Sequence, residues 1–171
     1  MMEMKAVVYE GPGKYSITTR PVPEIKREDQ MLVKVLAASI CGTDVHILAD
    51  PPEYEATPGI VLGHEFVGEV LEVGSGVKTF KAGDHLICDN NLQCGVCPDC
   101  QEGNYNVCSN VKAMGVQIDG VFSQYAVIPE SSAVKIDRDV PLDRAIFAEP
   151  LNCVMGAVKK LKVMPGDNVV I

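Results

Sequence analysis

Apolar residues in this chain come in short runs, most of them ended by Gly or Pro, and the runs predict strands before helices. Lys5 to Tyr9 reads as a strand closed by the turn Gly11-Pro12-Gly13. Tyr15 to Thr19 reads as a second strand, a hairpin partner for the first. Pro21 and Pro23 keep the following chain extended and outside any sheet interior. Met31 to Ala38 is apolar except for Lys34, which predicts a mostly buried strand. Phe66 to Val73 predicts another, turned by Gly74-Ser75-Gly76. Lys81-Ala82-Gly83-Asp84 is a turn feeding a short strand, His85 to Cys88, and Gly120 to Ile128 and Ala133 to Ile136 are strands again.

After Pro141 the period changes. Leu142 to Ala148 and Leu151 to Leu161 have helical spacing. Pro150 suits the first position of the second helix and pushes Glu149 away from helical geometry, so Glu149 is expected at a break near a helix N-terminus. Pro165-Gly166-Asp167 reads as a turn, and Val169-Val170-Ile171 opens a buried-type strand. Many strands, then helices, then a new apolar strand read as one domain over 1–148, with 149–171 leading into the next.

The 171 residues are 47% apolar, enough for a core. A formal charge of −8 argues against a nucleic-acid partner. No charged-then-apolar leader opens the chain and no apolar run reaches membrane-spanning length, so a soluble, cytoplasmic protein is expected, without a membrane partner. In that setting seven cysteines point to metal or reactive thiols before disulfides.

Residues 90–112 lack hydrophobic periodicity and carry Cys94, Cys97, Cys100 and Cys108, spaced C-x2-C-x2-C-x7-C. Such a segment cannot fold on its own apolar surface. Four thiolates satisfy tetrahedral zinc and close its coordination, so this lobe should hold a structural ion and do no chemistry. A redox C-x-x-C pair is the alternative; it belongs at a strand-to-helix junction, and no helical pattern is visible here. Cys88 and Cys153 remain, and are expected as small apolar core residues.

A second donor set is Cys41, His64, Glu65 and Glu149. Neighbouring side chains on an extended backbone point to opposite sides, so His64 and Glu65 can meet one ion only at a bend, which Gly63 permits. Gly68 and Gly74 leave room for another backbone to approach. A thiolate, an imidazole and one carboxylate make three ligands and leave zinc an open fourth position. A second carboxylate would make the centre negative and a poorer Lewis acid, so Glu65 and Glu149 are not expected to stay bound together once substrate arrives. Thr43 and His46 lie on one side of a short helical turn running to about Ala49 and could pass a proton outward. Asp44 could hold the His64 ring. Thr43 or Asp44 could equally be a plain helix cap, and His46 a surface histidine. The loop Glu53 to Pro58 could border a substrate opening.

Gly63-His64-Glu65 with Gly68, Gly74 and Val77, Cys41-Gly42-Thr43-Asp44-Val45-His46 and the lobe 94–108 together resemble the zinc-dependent medium-chain alcohol dehydrogenase family. Glu149-Pro150-Leu151 is similar to its sorbitol (polyol) branch, and the Cys41 segment to its threonine dehydrogenase branch. The resemblance implies a GroES-like, partly open β-barrel with a projecting zinc lobe and two zinc ions, one catalytic and one structural. It implies oxidation of a secondary alcohol or polyol, hydride passing to NAD or NADP, in a homo-oligomer, dimer or tetramer. It also implies a Rossmann domain whose first strand starts at Val169-Val170-Ile171; no G-x-G-x-x-G follows, so this stretch alone should not turn over. A zinc-stabilised module of the same fold without catalysis is the alternative.

Overall fold

The computed structural model describes residues 2–161, 163–164 and 166–170. The chain folds as expected into mostly β structure. β1 (Glu3–Gly11) and β2 (Lys14–Pro21) form an antiparallel hairpin, Tyr9 opposite Tyr15 and Glu3 opposite Pro21. Pro21 thus sits at the end of an edge strand, where its missing N–H costs nothing.

The main sheet has five antiparallel strands: β3 (Gln30–Ser39), β4 (Glu65–Val73), β5 (His85–Cys88), then, after a two-strand lobe, β8 (Tyr125–Pro129) and β9 (Ala133–Ile136). Its order is β8-β3-β4-β5-β9, so it is open at β8 and β9. Single bridges, Ala6 to Ser123 and Val8 to Val61, dock the hairpin and complete the partly open β architecture. The expected strand from Gly120 begins regular pairing only at Tyr125. The earlier residues turn back against Val61 to Gly63 instead, through Gly120 N–H to Val61 O and Val121 N–H to Gly63 O.

Met31, Val33, Phe66, Val70, Leu86, Val121 and Ile128 form the larger core. Tyr9, Ile47, Ile60, Leu62 and Val116 form a second core beneath the helix α1 (Gly42–Ile47). Gly74 lies against the backbone of Arg27 and Glu28, as the sequence suggested. At Gly68 the space is taken by the Val33 side chain.

The lobe is β6 (Asn91–Leu92) paired with β7 (Lys112–Ala113), with the one-turn helix α2 (Pro98–Gln101) between them. A four-residue helix is too short to leave a periodic signal.

The C-terminal helices are α3 (Leu142–Ala145) and α4 (Ala148–Leu161). The break therefore falls at Ile146–Phe147, and Glu149 and Pro150 lie inside the first turn of α4, not before it. The N–H groups of a first turn have no intrahelical partner, so proline is tolerated there as well as at the first position. Val169 and Val170 carry no strand among the described residues, and Pro165 and Ile171 lie outside them.

Candidate functional site

Cys41 is the cap residue of α1, extended at φ −87°, ψ 157°. Neither Thr43 nor Asp44 is the cap: Asp44 is the third residue of the helix, and its carboxylate accepts the Cys41 N–H at 2.9 Å. That bond fixes the cysteine where β3 passes into α1. Thr43 Oγ1 lies 3.7 Å from the Cys41 sulfur.

His64 and Glu65 stand at the entry to β4. Gly63 has φ +86°, and the Phe122 ring occupies the place where a Cβ would project. Only glycine fits this bend, which lets consecutive side chains serve one site. Cys41, His64 and Glu65 each bring a ligand atom within 4.8 Å of the others. His64 and Glu65 are buried, and Cys41 is half-buried.

Asp44 and His64 are almost wholly buried, with Asp44 Oδ1 3.8 Å from His64 Nδ1. Burial pushes the Asp44 carboxyl above its usual range, against the Cys41 N–H and the His64 ring, which favour its charge. Neither Asp44 Oδ1 nor His64 Nδ1 has a hydrogen-bond partner among the described residues. With Nδ1 turned to Asp44, the ring has one nitrogen left for an ion.

Glu149 is not part of this set of three. It is half-buried, and Asn90 Nδ2 donates to its Oε1 at 3.4 Å. Burial raises its carboxyl, with His64 and Glu65 among the charges that reach it. Cys153, one turn further on, is exposed, which corrects the expectation of a core residue; its sulfur is 4.0 Å from Glu149 Oε1. Cys88 is buried as expected, and burial pushes its thiol up to about 12.

His46 is exposed and bonds through Nδ1 to Glu53 Oε2, a partner the sequence did not suggest. Ser39 was also missed: its hydroxyl donates to Glu65 Oε2. No motif marks either residue.

In the lobe, the sulfurs of Cys94, Cys97, Cys100 and Cys108 lie within 4.8 Å of one another, and none forms a disulfide. The Cys97 N–H donates to Cys94 Sγ at 3.4 Å, and the Cys94 N–H to Cys108 Sγ at 3.4 Å. N–H groups of Cys100 and Ser109 lower the Cys97 thiol to about 6, while burial pushes Cys100 up to about 12. The donors fit zinc in both places: four sulfurs in a closed cluster, and sulfur, nitrogen and oxygen in the three-donor set.

A family model described as alcohol dehydrogenase GroES-like domain matches residues 27–138. Over 131 residues the chain is 41% identical to an L-threonine 3-dehydrogenase of Thermococcus kodakarensis, covering 75% of this chain and 37% of that protein. Over 171 residues it is 34% identical to a sorbitol dehydrogenase of Bacillus subtilis, covering 98% and 48%. A solved structure described as a short chain alcohol dehydrogenase from Escherichia coli complexed with NADH superposes with a TM-score of 0.84 at 35% identity, covering 94% of this chain and 46% of that one. The chain thus spans less than half the length of these relatives. Among the described residues, no helix is long and apolar enough to cross a membrane.

Proposed function

The chain belongs to the zinc-dependent medium-chain alcohol dehydrogenase family through its GroES-like domain, and we propose that it forms the catalytic part of a nicotinamide-dependent dehydrogenase for a secondary alcohol or polyol. The observation that carries this reading is the convergence of Cys41, His64 and Glu65, separate from the four-cysteine lobe. The lobe offers four thiolates and therefore no place for a substrate; its role is structural. The other set offers three donors.

Zinc held there supplies a Lewis acid for the alcohol oxygen. The protein's own groups do the rest. Asp44 turns Nδ1 of His64 inward and commits Nε2 to the ion. Thr43 Oγ1, beside the Cys41 sulfur, takes the alcohol's proton and passes its own outward. His46, with Nδ1 engaged by Glu53, receives that proton at Nε2 and delivers it to solvent. Glu149 faces the site from α4 as an exchangeable carboxylate, so that it and Glu65 do not hold the ion together while substrate is bound.

NAD or NADP accepts the hydride, on a domain of Rossmann type that residues 149–171 lead into. The threonine and sorbitol relatives point to a hydroxyl on a small polar carbon chain as substrate. We place the protein in the cytoplasm as a homo-oligomer; seven free cysteines suit a reducing compartment.

The test is turnover of secondary alcohols, polyols and threonine with NAD or NADP by the intact protein. Turnover that disappears in Cys41→Ala supports the reading. Near-normal turnover in that variant overturns the ligand assignment.

A further inference from the structure

Glu65 is almost wholly buried, and its Oε2 already has a partner, the Ser39 hydroxyl. The partner is set by strand register. β3 and β4 shift register twice: Leu71 is an extra residue on β4 between the Leu32–Glu72 and Val33–Val70 pairs, and Leu36 is an extra residue on β3 between the Val35–Gly68 and Ala37–Val67 pairs. The second shift undoes the first, and the last pairs become Ala38 with Phe66 and Ser39 with Glu65. Directly opposed residues on antiparallel strands project to the same face. Without the second shift, the Val35–Gly68 register would run on and place Ala38 opposite Glu65, and Ala38 offers no hydrogen-bonding side chain.

We propose that Ser39 is a positioning residue that restricts Glu65 to offering a single oxygen to the ion held with Cys41 and His64. The inference rests on the metal-holding role proposed above. A carboxylate with both oxygens free can grip an ion with two of them. Ser39 occupies one, so a two-oxygen grip requires breaking the Ser39 bond. A one-oxygen Glu65 leaves the coordination position that a substrate needs; a two-oxygen Glu65 fills it. Ser39 thus sets how open the site is without touching substrate.

The experiment uses the intact protein with cobalt exchanged into the Cys41 site and zinc kept in the lobe. X-ray absorption at cobalt counts the light-atom ligands, and chelator release times the ion. Ser39→Ala is expected to add one oxygen at cobalt and to hold the ion at least as long. Its kcat should fall about tenfold, at the low end of the cost of losing a group that orients a ligand. Ser39→Thr, which keeps the hydroxyl, is expected to restore wild-type values. A merely structural role for Ser39 would lower the melting temperature and loosen the ion with no added oxygen, and that result overturns the proposal. An unchanged coordination number in Ser39→Ala overturns it too, while leaving the metal reading intact. A Cys41 site that never takes cobalt or zinc overturns the metal reading and this inference together.

Discussion

The two donor clusters are built in opposite ways. The lobe draws Cys94, Cys97, Cys100 and Cys108 from a single stretch of fifteen residues, counted from 94 to 108, and has little apolar surface beyond the thiols themselves. The other cluster draws Cys41 from the start of a helix and His64 and Glu65 from the entry to a strand, both supported by buried cores. On the proposed reading, the lobe depends on its ion to fold. The second cluster is held by the protein's own groups: the Gly63 bend, the Asp44 bond to the Cys41 N–H and the strand register. What binds the first should therefore be structural, and what binds the second can be left incomplete and reactive.

The largest expected effect falls on the lobe. Cys97→Ala should remove its ion and with it about 10 kcal/mol of apparent folding free energy for that segment. Limited proteolysis would then cut between 90 and 112 while the five-stranded sheet stays protected; an uncut lobe would break the contrast. Asp44→Ala tests the preformed side. It leaves the Cys41 N–H without its buried acceptor, at a cost of about 1–3 kcal/mol, and removes the carboxylate 3.8 Å from His64 Nδ1. The Cys41 site should lose its ion to a chelator faster, and the lobe should keep its own.

A smaller effect is expected at the exit of the proton path. His46→Gln should lower kcat by about a hundredfold or less and change its pH profile. An unchanged profile removes His46 from the relay. The smallest effect belongs to neither cluster. Glu130 accepts from the Thr79 hydroxyl and from the Thr79 and Lys78 N–H groups, which hold its carboxyl below the usual range. A depressed carboxyl stabilises the fold above its ordinary value of 4.5 and loses that contribution as pH falls through its folded value. Glu130→Gln should lower the melting temperature slightly at neutral pH and flatten its fall in acid, without changing metal content.

These differences also decide what could be read from the sequence. The lobe was legible because its ligands are local: steps of three residues around Gly95 and Pro98 carry their own signal. The strands of the sheet were legible from apolar runs, and the bend at His64 from Gly63. The meeting of Cys41 with His64 depends on β3–β4 pairing; donor chemistry and the motif resemblance suggested it, but the register that brings it about left no sequence signal. Ser39 could not be found, because two register shifts, an extra residue at Leu71 and a compensating one at Leu36, decide what faces Glu65, and a bulge leaves no mark in the hydrophobic pattern. The Glu53 partner of His46 comes from a polar loop without periodicity. Pro150 misplaced the helix start, since any first-turn position tolerates it. Cys153 misled because cysteine is a common core residue, yet here it lies exposed beside Glu149.

The central claim is that one chain carries a closed and an open metal site. Site-resolved metal analysis tests it most directly: zinc per chain and sulfur neighbours per zinc, in the intact protein and in Cys41→Ala. The account predicts two ions in the first and one in the second, the remaining ion surrounded by four sulfurs. A single ion in both proteins, with four sulfur neighbours throughout, would contradict it.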